Sequence, residues 1–177
     1  MSIVRFIADL HAGHENMAKC RGFKNVSDHD EYIVKQWNSV VNKRDTTYIL
    51  GDITMEKPEY SILRRLNGRK IVVGGNHDKP HHSRKLLEYI DTIAGMVQYK
   101  GIFLTHCPIH PMEMDYRIKY NIHGHIHSNS VMKKYKLFGI TLFSKRDTRY
   151  ICVSCEHIDF KPKTLSELGI FRKNKML

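Results

Sequence analysis

Five short stretches of this chain carry side chains that can bind first-row metal ions or move protons. They read Asp9-Leu10-His11, Gly51-Asp52, Gly75-Asn76-His77-Asp78, Thr105-His106 and Gly124-His125-Ile126-His127. Carboxylate and amide oxygens mixed with imidazole nitrogens suit Mn²⁺, Fe or Zn²⁺ better than Ca²⁺. Asp9 and His11 are two residues apart, as are His125 and His127, and in extended backbone such pairs project to one side. Gly51, Gly75 and Gly124 stand just before candidate ligands and permit tight turns there. The chain holds 12 histidines, a density that points to metal ligation or a proton-transfer site.

A lone histidine is more often a surface or core residue than a ligand. The joint pattern reverses those odds for His11, His106, His125 and His127. It gives no such support to His29, His110 or His157, which read as structural or surface. His123 reads as a packing residue behind the site. Cys152-x-x-Cys155 has no second cysteine pair to complete a zinc site and reads as strand packing. Trp37, with Tyr32, Ile33 and Val40 at helical spacing, reads as core.

The candidate ligands follow apolar runs. Residues 3–8, 46–50 and 70–73 read as buried strands. In open α/β sheets ligands gather outside the carboxyl ends of the strands, so the ends of five strands can converge. Between them, 15–23 suits a short helix. A longer helix to about residue 42 is signalled by Ser27 and Asp30 as a capping box. Pro58 suits the first turn of a helix over 58–66, and 83–90 also reads as helical. Residues 93–99 and 101–105 read as a tight hairpin, and 121–123, 136–143 and 150–154 as further strands. Strand–helix alternation followed by strands predicts one α/β domain with more than one sheet.

Taken in order, Asp-x-His, Gly-Asp, Gly-Asn-His-Asp, a lone His and Gly-His-x-His resemble the calcineurin-like metallophosphoesterase superfamily, in its compact bacterial and phage form. The resemblance spans residues 9 to 127 with no block missing. It implies a four-layer α/β/β/α sandwich of two mixed sheets with helices outside, formed by residues 1–177 as a single domain. It implies one metal ion held by Asp9, His11, Asp52 and His127, and a second by Asp52, Asn76, His106 and His125, with Asp52 shared. The cofactors would be two divalent cations, Mn²⁺ foremost, with Fe, Zn²⁺ or Ni²⁺ as alternatives. The activity implied is hydrolysis of phosphate esters, phosphodiesters ahead of monoesters, by a hydroxide shared between the ions. His77 would assist the leaving group, Asp78 would orient His77, and Asn76 would also face substrate. Arg21 and Arg84 are expected to touch the substrate phosphate. His14, Asn16, His81, His82 and His110 lie in the same loops. A non-catalytic scaffold on the same fold is the competing class.

Composition sets the remaining bounds. Hydrophobic residues make up 41 % and charged residues 27 % of the 177 residues, which fits a globular chain with a substantial core. No apolar run reaches the roughly 20 residues of a bilayer span, and the first residues lack the features of a signal peptide. Four scattered cysteines suit reduced thiols. A cytoplasmic protein is expected, in the host cytoplasm if phage-encoded. The net charge of +11 favours a phosphorylated partner, a nucleotide or nucleic acid among them. No membrane partner is expected, and a homodimer is allowed.

Overall fold

The computed structural model describes residues 2–55, 59–114 and 117–170. Strands β1 (Val4–Ile7), β2 (Thr46–Ile49), β3 (Arg69–Val73) and β4 (Thr92–Ala94) form one sheet in that order. All its pairs are parallel. The sequence resemblance implied a mixed sheet here. The sheet is parallel because each connection crosses over through helical segments rather than a hairpin.

The second sheet is mixed. It runs β10 (Tyr150–Cys152), β7 (Tyr120–His123), β6 (Ile102–Leu104), β5 (Val97–Tyr99). β7 is parallel to both neighbours and β5 antiparallel to β6. The two sheets pack face to face. Phe6 stacks on Tyr48, and Tyr99 of the second sheet closes on both, at ring-centroid distances of 5.8 and 5.6 Å. One core cluster joins Phe6, Ile49 and Val72 to Ile102, Leu104 and Ile122. Sheets covered on both faces explain why these strands read as unbroken apolar runs.

Helices α1 (Glu15–Cys20) and α2 (Val26–Asn38) carry the chain from β1 to β2. Ile33 and Trp37 of α2 lie fully buried, and the Trp37 indole donates to the Asn67 carbonyl at 3.0 Å. Truncating a buried Trp typically costs about 3–5 kcal/mol. Beyond the second sheet, a smaller cluster of Met114, Ile118 and Tyr150 packs with Phe103 and Ile109. Phe103 alternates with Ile102 and Leu104, so this cluster covers the opposite face of β6. The architecture is thus an α/β sandwich. The sheets meet at one corner, where Ala8 N–H donates to Val153 O at 2.9 Å and Phe6 bridges Lys163.

Several local expectations are corrected. The cap of α2 is Asn25, whose side chain accepts from Asp28 N–H at 2.8 Å, so Ser27 and Asp30 lie inside the helix. Both that helix and α1 end earlier than their apolar spacing implies. The helix expected over 58–66 is a 3-10 segment, Ser61–Arg65, and Pro58 lies outside the described residues. The helix expected over 83–90 shortens to α3 (Ser83–Leu86). The run 93–99 is split: β4 pairs with the first sheet and only β5 forms the hairpin with β6. The single strand expected over 136–143 is a hairpin of β8 (Met132–Leu137) and β9 (Ile140–Arg146). Phe138 and Gly139 have φ of 50° and 82°, and left-handed residues at both turn positions reverse the chain. Cys155 opens a further helix, α4 (Cys155–Ile158), and is not in a strand. Among the described residues, no helix is long and apolar enough to cross a membrane.

Candidate metal centre

The site is built where β1, β2, β3, β6 and β7 end. Each strand is followed within a few residues by its candidate ligands: Asp9 and His11, Asp52, Asn76, His106, and His125 and His127. The loops are laced to one another by backbone. Asp9 N–H donates to Gly51 O and His11 N–H to Asp52 O, each at 3.0 Å, and Gly124 N–H donates to His106 O at 2.9 Å.

The local backbone is unusual. Asp9, His11, Asp52, His125 and His127 have φ of 57°, 48°, 53°, 69° and 48°. Left-handed conformations cost about 1–3 kcal/mol for residues with a side chain, and they cluster where function holds them. The extended backbone expected for the two i, i+2 pairs is therefore corrected. Paired left-handed residues bring those side chains together. Gly75 and Gly124 serve by lacking a Cβ rather than by turning the chain. A Cβ at Gly75 would stand 2.6 Å from Asp52 N, and one at Gly124 would collide with Asp9 Oδ2 and Ala8 Cβ.

Asp52 lies between two imidazoles. Its Oδ2 is 3.9 Å from His11 Nε2 and 3.3 Å from His106 Nε2. Asp9 Oδ1 is 3.9 Å from the same His11 nitrogen. Asn76 Oδ1 lies 2.8 Å from His106 Nε2 and 3.0 Å from His125 Nδ1. Asp9, His11 and His127 bring donor atoms within 4.8 Å of one another, as do Asp9, Asp52 and His106. All seven expected ligands thus share one site. The exposed Cys107 thiol also lies within 4.8 Å of donor atoms on His106 and His125.

The decisive detail is His11. It is 2 % exposed, and neither ring nitrogen has a hydrogen-bond partner. A buried, unpaired imidazole costs about 1–3 kcal/mol. Burial lowers its pKa to about 3, so the ring is neutral and keeps a lone pair for a cation. Asp9 is fully buried, and burial raises its pKa despite a hydrogen bond from Ser154 at 2.6 Å. Two buried carboxylates beside an unpaired neutral imidazole fit a divalent ion, which would neutralise the first and partner the second. His106 donates Nδ1–H to Leu50 O at 2.8 Å, leaving Nε2 as the acceptor facing Asp52.

Two expected roles are corrected. Asp78 does not orient the His77 ring. Its carboxylate accepts from the backbone N–H of Asp52, Ile53 and Gly75, tying the loops after β2 and β3 together. Asp52 Oδ1 instead accepts from His77 N–H at 3.0 Å. Arg21 does not face substrate. Its side chain is 3 % exposed, and it donates to Asp9 O at 2.6 Å, Leu10 O at 2.8 Å and Glu156 Oε1 at 2.8 Å. It therefore clamps the left-handed turn carrying Asp9 and His11.

The sequence reading missed Glu156 and Ser154. Glu156 Oε1 lies 3.2 Å from His127 Nδ1. Burial alone would raise its pKa, but the His127 hydrogen bond and the Arg21 charge outweigh this and bring it to about 2. A carboxylate on Nδ1 leaves Nε2 of His127 for a metal ion. Neither residue belongs to a ligand motif, so spacing carried no signal of them. His77 stands at the mouth, its ring 5.8 Å from that of His11. Asn76 and Arg84 are exposed, Arg84 on α3 just beyond this loop. His14 caps α1 through Nδ1, accepting from Met17 N–H at 3.0 Å. His29 is fully buried against Arg21 and Asp30, and His123 is buried with Nδ1 at 2.8 Å from Gly124 O.

No protein-family model matches the chain. It is 32 % identical over 174 residues to the uncharacterized protein MJ1445 of Methanocaldococcus jannaschii, covering 93 % of this chain and 88 % of that one. It is 31 % identical over 170 residues to the gene 66 protein of Mycobacterium phage L5, covering 76 % and 82 %. A solved structure of a protein of unknown function, AQ665 from Aquifex aeolicus, superposes with a TM-score of 0.67 at 29 % identity, over 96 % of this chain and 98 % of that one. The chain belongs to the family of MJ1445 and the mycobacteriophage gene 66 proteins.

Proposed function

We propose that this protein is a dinuclear-metal-dependent phosphoesterase of the calcineurin-like type, acting on phosphodiesters of nucleotide or nucleic-acid-like substrates in the cytoplasm. The observation that carries the reading is His11, buried and unpaired between Asp9 and Asp52. Two bound divalent cations, Mn²⁺ foremost, would polarise the phosphoryl oxygens and make a nearby water more acidic.

The side chains divide the remaining work. Asp9, His11 and His127 would hold one ion and Asn76, His106 and His125 the other, with Asp52 Oδ2 between them. Glu156 fixes the tautomer of His127 by accepting from Nδ1–H. Asp52 accepts His77 N–H and so fixes where that residue leaves the loop. The half-exposed His77 ring can then give a proton to the departing oxygen. Arg84 is the exposed cation from which a phosphate contact is proposed. The excess of positive charge draws anionic esters toward the site.

The test is hydrolysis of bis-p-nitrophenyl phosphate and of an alkyl phosphodiester, with Mn²⁺, by the native protein and His77→Gln. The native protein is expected to cleave both. The variant should retain Mn²⁺ and lose about 10²–10⁴-fold in kcat on the alkyl ester, whose leaving group needs a proton. It should lose much less on the p-nitrophenyl ester. Absence of turnover by the native protein with any of Mn²⁺, Ni²⁺, Zn²⁺ or Fe²⁺ would favour a metal-binding scaffold instead.

A further inference from the structure

The hairpin of β8 and β9 is a two-stranded sheet of its own, and every one of its strand residues is exposed. Such a ribbon is marginal alone and normally packs on another layer. Its register separates two chemistries. Tyr135 opposes Phe143 and Leu137 opposes Ile140, so these four share one face. Lys134 opposes Ser144 and Lys136 opposes Thr141 on the other. One face is apolar, and the other is basic and polar.

The apolar face is extensive. Tyr135 and Phe143 stack at 4.6 Å. Phe143 is 57 % exposed, Ile140 70 %, and Phe138 at the turn 95 %. With Met132, Leu137 and Leu142 the hairpin leaves seven large hydrophobics in water. At roughly 200 Å² for a large side chain, their exposed area is on the order of 800 Å². Patches larger than a few hundred Å² mark interaction sites. About 800 Å² is one partner's share of a standard stable interface.

We propose that this face binds the same face of a second copy of the chain. An evenly apolar face is complementary to itself across a two-fold axis. Lys134 and Lys136 point away from it and stay in water. Lys133 and Lys145, which oppose one another, lie at the root end where an interface rim would be. A nucleic-acid platform would need cations on the same side as its aromatic rings. Here most cations are on the opposite face, beside branched aliphatic residues that stack poorly on bases. Charge sets the choice further. Residues 117–146 contain no Asp or Glu, so an ion-paired partner surface finds nothing acidic to hold on the basic side. The hairpin leaves the chain five residues after His127, and its base is closed by Asp147 N–H donating to Val131 O at 2.9 Å. Pairing of two hairpins would thus steady the loop that carries His125 and His127.

The test is the mass of the full chain in solution by light scattering and sedimentation, from about 1 to 100 μM. The native chain is expected to have the mass of two copies. Phe143→Glu with Ile140→Glu should weaken association at least about 30-fold, as hot-spot losses do. Lys134→Glu, on the opposite face, should leave it unchanged. Both sites are solvent-exposed, and an unchanged far-UV circular dichroism spectrum checks the fold. A single-copy mass for the native chain throughout that range overturns the proposal, as does a two-copy mass for the double variant. Binding of a single-copy native chain to anionic vesicles or to a dT20 oligonucleotide, abolished by the same substitutions, overturns it in favour of that partner.

Discussion

His11 sets folding against function within one side chain. Its unpaired ring nitrogens weaken the metal-free protein and supply the metal site. His11→Leu is therefore expected to stabilise the metal-free protein by about 1–3 kcal/mol, by removing a buried unpaired polar group. It should also abolish the rise in Tm that Mn²⁺ produces in the native protein. Thermal melts with and without Mn²⁺ check both. His123 makes a separate prediction. Burial lowers its pKa to about 4 from a usual value near 6.5. Below pH 6.5 the unfolded chain takes up a proton that the folded chain refuses. The stability tied to this residue is thus complete above pH 6.5 and lost between 6.5 and about 4. The loss amounts to about 3 kcal/mol at its limit. His123→Asn, able to keep the hydrogen bond to Gly124 O, should lose correspondingly less in metal-free urea titrations at pH 7 and 5. The ligands themselves were legible in the sequence because metal chemistry restricts residue type. Glu156 and Ser154 were not, since a hydrogen bond to a ligand can come from any polar residue anywhere in the chain.

At the scale of elements, loops after five parallel strands hold the site, and buried polar contacts hold the loops. Arg21 is the clearest case. It joins the turn after β1 to Glu156 of α4, 135 residues away. Arg21→Met should lower Mn²⁺ affinity about 10–100-fold, the usual cost of losing a group that positions ligands. KM for substrate at saturating metal should stay near native. A raised KM with unchanged metal affinity would return Arg21 to the phosphate contact expected from its sequence position. That expectation failed because nearness in sequence does not tell whether a guanidinium faces water or two carbonyls. The strands were legible because parallel strands covered on both faces read as unbroken apolar runs. The short helices were not. α3 and α4 have four residues each, barely one turn, and cannot display a helical period.

Across the whole molecule, strand ends from two sheets converge because the sheets pack face to face and meet at the β1–β10 corner. Order along the chain implied that convergence. The hairpin was illegible for the opposite reason: an apolar strand without a covering layer looks the same in sequence as one inside a core. Family membership fits this picture, with relatives in an archaeon and in mycobacteriophages matched over most of their length. The central claim is a single site that holds two ions through a shared Asp52. It is tested most directly by titrating Mn²⁺ into the metal-free protein and into Asp52→Asn, counting bound ions while following bis-p-nitrophenyl phosphate hydrolysis. The account predicts two ions per native chain, with hydrolysis appearing as the second binds, and loss of at least one ion together with hydrolysis in the variant. A native chain that binds no Mn²⁺, or an Asp52→Asn chain that still binds two ions and hydrolyses at the native rate, would contradict it.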